Sequence, residues 1–245
     1  MELAAILAKL AEARRALIVA AICLCCASAV GYVLGPRMLE RMTAGFGSGL
    51  QLVYLSPAEA FVARLKLAVA FGFLVTLPVL LWQVWRLVGP LLGPAAGRMG
   101  LWLIPLATLL FVAGGAFGYF VAVPLALRFL LGFASAGLEP LISISSFVSF
   151  LIGVVLPLGA IFEMPVVALC LARVGLLDPK VMARNRRYAL LVIAVLAAIF
   201  SAPDVFSQAA MALPMLILYE ASYWVARCAW RGREAGYWGV TDEAG

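Results

Sequence analysis

The sequence predicts an all-α membrane protein of six transmembrane helices, with kinked helices and two short C-terminal spans. Three observations carry that prediction. Of 245 residues, 66% are hydrophobic and 12% charged, at a mean hydropathy of +1.10, which is more apolar surface than one water-soluble core of this size can hide. The apolar residues gather into runs of bilayer length, punctuated by Gly, Pro and charged segments. The basic residues behind the net charge of +6 sit at the ends of those runs, where they orient helices and meet anionic lipid, so membrane lipid and not nucleic acid is the partner they indicate. One polytopic domain is expected over 1–245, with a leader at 1–16, six spans and their loops at 17–230, and a tail at 231–245.

In chain order, Leu3, Ile6, Leu7, Leu10 and Leu17 repeat at helical spacing and leave Lys9, Glu12 and Arg15 on more polar faces, the pattern of an amphipathic helix lying at the interface. No small-residue cleavage site is obvious, and the leader is expected to be retained. Leu17–Leu34 is the first span, closed by Gly35 and Pro36. Arg37–Ala60 is too polar to cross and too apolar to float free, and is expected to cap one mouth of the protein. The second span, Phe61–Leu92, carries Pro78, Gln83, Trp85 and Pro90 and is long enough to tilt or kink. The third, Met99–Phe133, contains Gly114, Gly115 and Gly118, whose missing side chains permit close helix approach in lipid. A loop over Ser135–Ser146 leads to the fourth, Phe147–Leu171. Gly175–Arg187 is the most basic loop. The fifth span, Tyr188–Ala202, has 15 residues, about 22 Å of helix against a ~30 Å hydrocarbon core, and should thin the bilayer beside it. A tight turn at Pro203–Ser207 precedes the sixth, Gln208–Trp230, which holds Pro214 and a second acid, Glu220.

The fourth span holds the residue of greatest interest. Glu163 lies in a run whose only other plainly polar side chain is Ser149, between Pro157 and Pro165. A carboxylate near the bilayer centre costs roughly 2.5–3.5 kcal/mol even on the lenient insertion scale, so it should face a bundle interior or a wet cavity. The prolines remove backbone donors and bend the helix, which suggests a concave surface. The alternative is a purely structural carboxylate, paired to another helix's hydroxyl or amide, or protonated.

The remaining chemistry is sparse. The chain has no histidine, which removes His-ligated haem, most zinc sites, Ser-His and Cys-His nucleophile pairs and histidine proton relays. Cys23 and Cys25 lie about 200° apart around a helix and have no companion ligands, so Cys23, Cys25 and Cys26 read as packing residues and no metal or cofactor is expected. There is no Gly-rich phosphate loop with its lysine. No enzymatic activity is expected.

Several motifs carry a family resemblance. Ala202-Pro203-Asp204-Val205-Phe206-Ser207-Gln208, followed by Pro214-Met215 and Glu220, resembles the turn between the last two short helices of TatC, the polytopic receptor of the twin-arginine protein translocase. Phe162-Glu163-x-Pro165 is similar to that family's intramembrane Phe-Glu-x-Pro. Ser56-Pro57-x-Glu59-x-Phe61 with Lys66 resembles its first outer loop, Gln83-Val84-Trp85 with Pro90 the end of its second helix, and Arg186 with Tyr188 the loop after its fourth. Leu10-x-Glu12-x-Arg14 resembles its leader motif, His-Leu-x-Glu-Leu-Arg.

The resemblance implies a cup-shaped six-helix protein in the inner (cytoplasmic) membrane of a prokaryote. Such a protein binds twin-arginine signal peptides of folded cargo and recruits single-span partners of the TatA and TatB type. Transport is driven by the proton gradient, and several copies can assemble within the translocase. It assigns signal-peptide binding to Glu12, Arg14, Gln83 and Trp85, partner docking to Glu163, Gln208 and Glu220, and outer-loop roles to Pro57, Glu59, Phe61 and Asp204. For Glu12 the residues alone leave two readings level, an arginine acceptor and an exposed i,i+3 pair with Arg15 worth a few tenths of a kcal/mol. The sequence also departs from the family. Lys9 stands at the usual histidine, Leu87 at a usual aromatic, and Ala96 where a glutamate usually precedes the basic residues of the first inner loop, so the second acceptor carboxylate is missing.

A small-molecule permease or secondary transporter, with Glu163 on its path, is the alternative; it would more often show two related halves, and no repeat is visible. With six spans both termini share a side, and that side holds 13 of the 18 Lys and Arg residues, which makes it cytoplasmic. Reporter fusions after Lys9 or Arg233 should therefore read cytoplasm and fusions at Gly47 or Gly137 exterior; an exterior signal at both termini would invert every face named above.

Overall fold

The computed structural model describes residues 2–45, 52–53, 56–89, 96–132, 141–201 and 205–234. Their architecture is helical. The elements are α1 (Glu2–Gly45), β1 (Leu52–Val53), α2 (Pro57–Val88), α3 (Ala96–Phe117), a π-helical turn (Gly118–Ala122), α4 (Val123–Leu131), β2 (Ile142–Ser143), α5 (Ile144–Phe162), α6 (Met164–Val174), α7 (Pro179–Arg184), α8 (Arg186–Phe200) and α9 (Val205–Glu234). Among the described residues five helical stretches are long and apolar enough to cross a membrane: Ala13–Met42, Ala58–Val88, Met99–Leu131, Ile144–Val174 and Ser207–Gly232. The remaining apolar helix, α8, has the 15 residues read from the sequence, shifted two residues toward the N-terminus. The chain packs as two compact units, Met1–Leu87 with Pro140–Ile152 and Val88–Glu139 with Gly153–Gly245.

In the first unit the leader is not a separate interfacial helix. It runs into the first span as one helix of 44 residues, which passes through Pro36 and continues to Gly45. Between Glu2 and Val30 there is no Gly or Pro, and the stretch is rich in Ala and Leu, both strong helix formers, so nothing interrupts the backbone hydrogen bonds. Docking of α1 on α2 uses small residues. A Cβ on Gly31 would lie 2.9 Å from the Ala68 carbonyl oxygen, and one on Gly72 would lie 2.8 Å from the Ser28 nitrogen. Beside this contact the Tyr32 ring meets Phe61 edge-on at 6.3 Å and carries the Arg64 guanidinium at 5.7 Å. Arg37–Ala60, read as a capping loop, instead supplies the last turns of α1, the strand β1 and the start of α2. Strand β1 pairs in parallel with β2, Leu52 opposite Ile142 and Val53 opposite Ser143, which ties the segment before α2 to the segment before α5.

The second unit is held by a glycine seam. A Cβ on Gly114 would lie 2.7 Å from the Leu158 carbonyl oxygen and from the Phe162 ring, one on Gly118 3.1 Å from Val155 Cα, and one on Gly159 2.8 Å from the Phe111 ring. Helices α3 and α5 thus approach with backbone against side chain, as the glycine spacing predicts. The π turn at Gly118–Ala122 ends two residues before Pro124, whose ring would strike the carbonyl of Phe120 in a regular helix; widening the turn accommodates it. Further along, Ala168 and Ala172 of α6 pack on Ala226 and Ala229 of α9, flanked by Leu169, Leu177 and Met182. Gly175 ends α6 at φ 85°, a left-handed conformation that glycine adopts without strain. Asp178 then caps α7 by accepting the Lys180 N–H at 2.8 Å.

Gly114→Ala should cost about 1–3 kcal/mol, because the added methyl meets a backbone oxygen and not a movable side-chain tip. Gly153→Ala, which meets nothing within 4 Å, should be neutral or stabilising. Thermal unfolding in detergent compares them, and equal midpoints would refute the seam.

Candidate functional site

Glu163 occupies the break between α5 and α6. Pro165 has no N–H, so the carbonyl of Ile161 loses its regular partner, and the chain tightens: Glu163 N–H donates to Ala160 O at 3.2 Å, and Val166 and Val167 both donate to Glu163 O at 3.0 Å. The residue has φ −77° and ψ −5°. Immediately before it, Phe162 is gripped by the glycine seam and stacks on Phe117 at 5.9 Å. The carboxylate is half-buried and forms no hydrogen bond or ion pair among the described residues. The hydroxyl or amide partner that a purely structural carboxylate needs is therefore not among them.

The other two acid and amide candidates of this unit are engaged within the chain. Gln208 donates from Nε2 to Ala194 O at 3.2 Å, joining α9 to α8. Glu220 accepts from Arg186 at 3.0 Å, and the same guanidinium lies 5.0 Å over the Tyr223 ring. Glu220 thus fastens the start of α8 to α9, an intramolecular role the sequence did not reveal because its partner is 34 residues away. Tyr219, beside it, donates to Met182 O at 2.9 Å.

In the first unit, Ser56 caps the N-terminus of α2, which Pro57 opens. Ser56 Oγ accepts the Ala58 N–H at 3.2 Å, and Pro57 takes the position where its missing donor does no harm. The Glu59 carboxylate accepts from Ser143 Oγ at 2.9 Å, across the strand pair. Phe61 is 56% exposed although it touches Tyr32. Lys66 donates to Ser149 Oγ at 2.7 Å and Ser145 Oγ at 3.3 Å, a polar cluster between α2 and α5 that sequence reading did not assemble. On α2, Gln83 and Trp85 are partly buried. The Gln83 amide oxygen is itself buried and accepts no hydrogen bond among the described residues, an unusual state for a buried acceptor. Arg14 is exposed on α1. Glu12 belongs to α1 and Pro57 to α2, but their side chains lie outside the described residues, as does Asp204 entirely. Ala96 is the first residue of α3. Among the described residues no three His, Cys, Asp or Glu side chains converge to hold a metal ion.

Five membrane-length helices, a short sixth, and an acid at a helix break define a polytopic α-helical membrane protein. Its relatives narrow the class. The profile of the family described as TatC, Sec-independent protein translocase protein, matches residues 8–214. The Sec-independent protein translocase protein TatC of Carboxydothermus hydrogenoformans is 41% identical over 179 residues, 73% of this chain and 74% of that one. That of Aquifex aeolicus is 37% identical over 187 residues, 76% and 78% of the two chains. A crystal structure of the twin arginine translocase receptor TatC is 34% identical and superposes with a TM-score of 0.75, covering 90% of this chain and 99% of that one. The chain belongs to the TatC family, and is a subunit of the Sec-independent protein translocase. The permease reading has no support among these relatives.

With Glu163→Cys introduced into a chain freed of its five native cysteines, a membrane-impermeant thiol reagent should label the site, because a half-buried side chain at a helix break is reachable by water. Absence of labelling would mean that the position faces lipid or is sealed.

Proposed function

We propose that this protein is the signal-peptide receptor of a twin-arginine translocase, a non-enzymatic subunit that binds twin-arginine peptides of folded cargo on the cytoplasmic face of a prokaryotic inner membrane. Both termini lie on that face, and 1–245 forms one TatC-like domain. TatA- and TatB-type single-span proteins dock on the intramembrane polar residues Glu163, Gln208 and Glu220, further copies of the chain join the assembly, and the proton gradient drives transport. The outer-loop residues Pro57, Glu59, Phe61 and Asp204 shape the opposite face.

The observation that carries the reading is family membership over residues 8–214 together with the leader motif Leu10-x-Glu12-x-Arg14. Two guanidinium groups seek carboxylates where water is partly excluded, and Glu12 supplies one. On α2, Gln83 stands beside Trp85 with an amide oxygen that accepts no hydrogen bond among the described residues. Of the docking residues, Glu163 is the strongest, because Gln208 and Glu220 already have partners within the chain.

With Ala96 in place of the family's second carboxylate, recognition rests mainly on Glu12. Peptide binding in nanodiscs, for the native chain, Glu12→Ala and Ala96→Glu against twin-arginine and twin-lysine peptides, tests this. The native chain should prefer arginine, which forms a two-pronged contact that lysine cannot. Glu12→Ala should erase the preference. Ala96→Glu should strengthen it, and the new carboxylate at the N-terminus of α3 adds about 0.3–1 kcal/mol of stability through the helix dipole. Arginine-specific binding that survives Glu12→Ala would move the acceptor elsewhere, and a native chain that binds neither peptide would end the receptor reading.

A further inference from the structure

Beyond the partner sites, the second unit contains an open pocket of about 320 Å³ between α6 and α9, lined by Leu169, Arg173, Trp224, Val225, Cys228 and Ala229. Its walls are mostly apolar, and its rim is cationic. Arg173 stands in the last turn of α6, and Arg227 places its guanidinium 5.5 Å over the Trp224 ring. Trp224, Cys228 and Arg231 follow one another at i, i+4 and i+7 on α9, and all three are exposed, so Arg231 belongs to the same face. Residues 164–174 and 221–232 contain three arginines and no carboxylate.

Depth fixes the setting. Trp224 lies 19 residues after Val205, about 28 Å along the helix, which is close to the ~30 Å thickness of the hydrocarbon core. If α9 enters the bilayer at Val205, the pocket opens where acyl chains give way to headgroups, the level that interfacial tryptophan favours. The alanine pairs Ala168, Ala172, Ala226 and Ala229 leave the two helix backbones close but with little side-chain volume at the edge of the seam, which accounts for a slot at this point.

We propose that this pocket seats an anionic phospholipid, one acyl chain lying against Leu169, Trp224 and Val225 while its phosphate meets Arg227 and Arg231, and Arg173, whose guanidinium donates to Met99 Sδ, adds its positive charge from the wall. Apolar lining alone fits any acyl chain; the three arginines make the seat selective for a negatively charged headgroup. The site is separate from the residues assigned to signal peptides and partners, so its test stands apart from the receptor reading.

The test uses the full-length chain in phosphatidylcholine nanodiscs containing, at equal mole fraction, either acyl-brominated phosphatidylglycerol or acyl-brominated phosphatidylcholine. Bromine quenches tryptophan on contact, and the Trp224 share of emission is the difference from Trp224→Phe. The anionic lipid should quench that share more strongly than the zwitterionic one. Arg227→Gln and Arg231→Gln should each reduce the preference about fivefold. Cys228→Phe, which fills the pocket without changing charge, should remove the preference and leave the two lipids quenching equally. Equal quenching by the two lipids in the native chain, or a preference unchanged in the Arg227→Gln, Arg231→Gln double variant, would overturn the proposal. So would a Trp224 shielded from both lipids by an added twin-arginine peptide, which would make the occupant a polypeptide.

Discussion

Lipid tails are as apolar as leucine, so no hydrophobic force presses the helices of this protein together, and close backbone approach at glycine has to do that work. Both units depend on it. In the first, Gly31 and Gly72 let α1 and α2 meet through Ala68 and Ser28; in the second, Gly114, Gly118 and Gly159 bring α3 against α5. The second seam has the larger consequence. It ends on Phe162, held by Gly114 and stacked on Phe117, and the next residue is Glu163. A helix break caused by Pro165 would otherwise be a point of freedom. Clamped from one side, it becomes a fixed bend with a carboxylate on it.

The two acids of this unit show how environment divides similar residues between roles. Glu220 meets Arg186 at 3.0 Å, with each side chain about half exposed, so the pair adds no more than about 1 kcal/mol and serves mainly to align the start of α8 with α9. That alignment matters because α8 has only 15 residues, and Val205 to Glu220 spans a matching length of α9. Glu163 has no such partner among the described residues. An acid placed near the middle of a span, half open and unpaired among the described residues, costs free energy that none of them returns, and such residues persist where a ligand, a partner or water completes them.

Much of this was legible in the sequence. The apolar runs gave the five long spans, the run after Arg187 gave the short helix, and Pro165 and the glycines of α3 gave the break and the seam, while α5 continues through Pro157. What escaped was of two kinds. The strand pair is two residues long on each side, too short for any periodicity, and exists only because distant segments meet. The Arg186–Glu220 and Lys66–Ser149 contacts are likewise long-range, and sequence spacing carries no trace of them. The continuity of α1 was a different kind of miss. The absence of Gly or Pro from Glu2 to Val30 is plain in the sequence, but the change from amphipathic to fully apolar character at Leu17 resembles a break and marks only where one helix changes surroundings.

The position of Ala96 sharpens the consequence of the missing carboxylate. As the first residue of α3 it lies at the positive end of that helix's dipole, roughly +0.5 elementary charge, with Arg98 two residues on. On the receptor reading, a glutamate there would both neutralise that end and attract a guanidinium; alanine leaves the end positive toward a doubly cationic ligand. Glu12 stands instead in the interior of α1, ten residues past its start, where the dipole exerts little pull either way. The same departure that removes one attractive group thus also leaves the positive helix end without a neutralising carboxylate at that position. The asymmetry between the two helices follows from where each residue sits on its helix, independently of any difference in the fold.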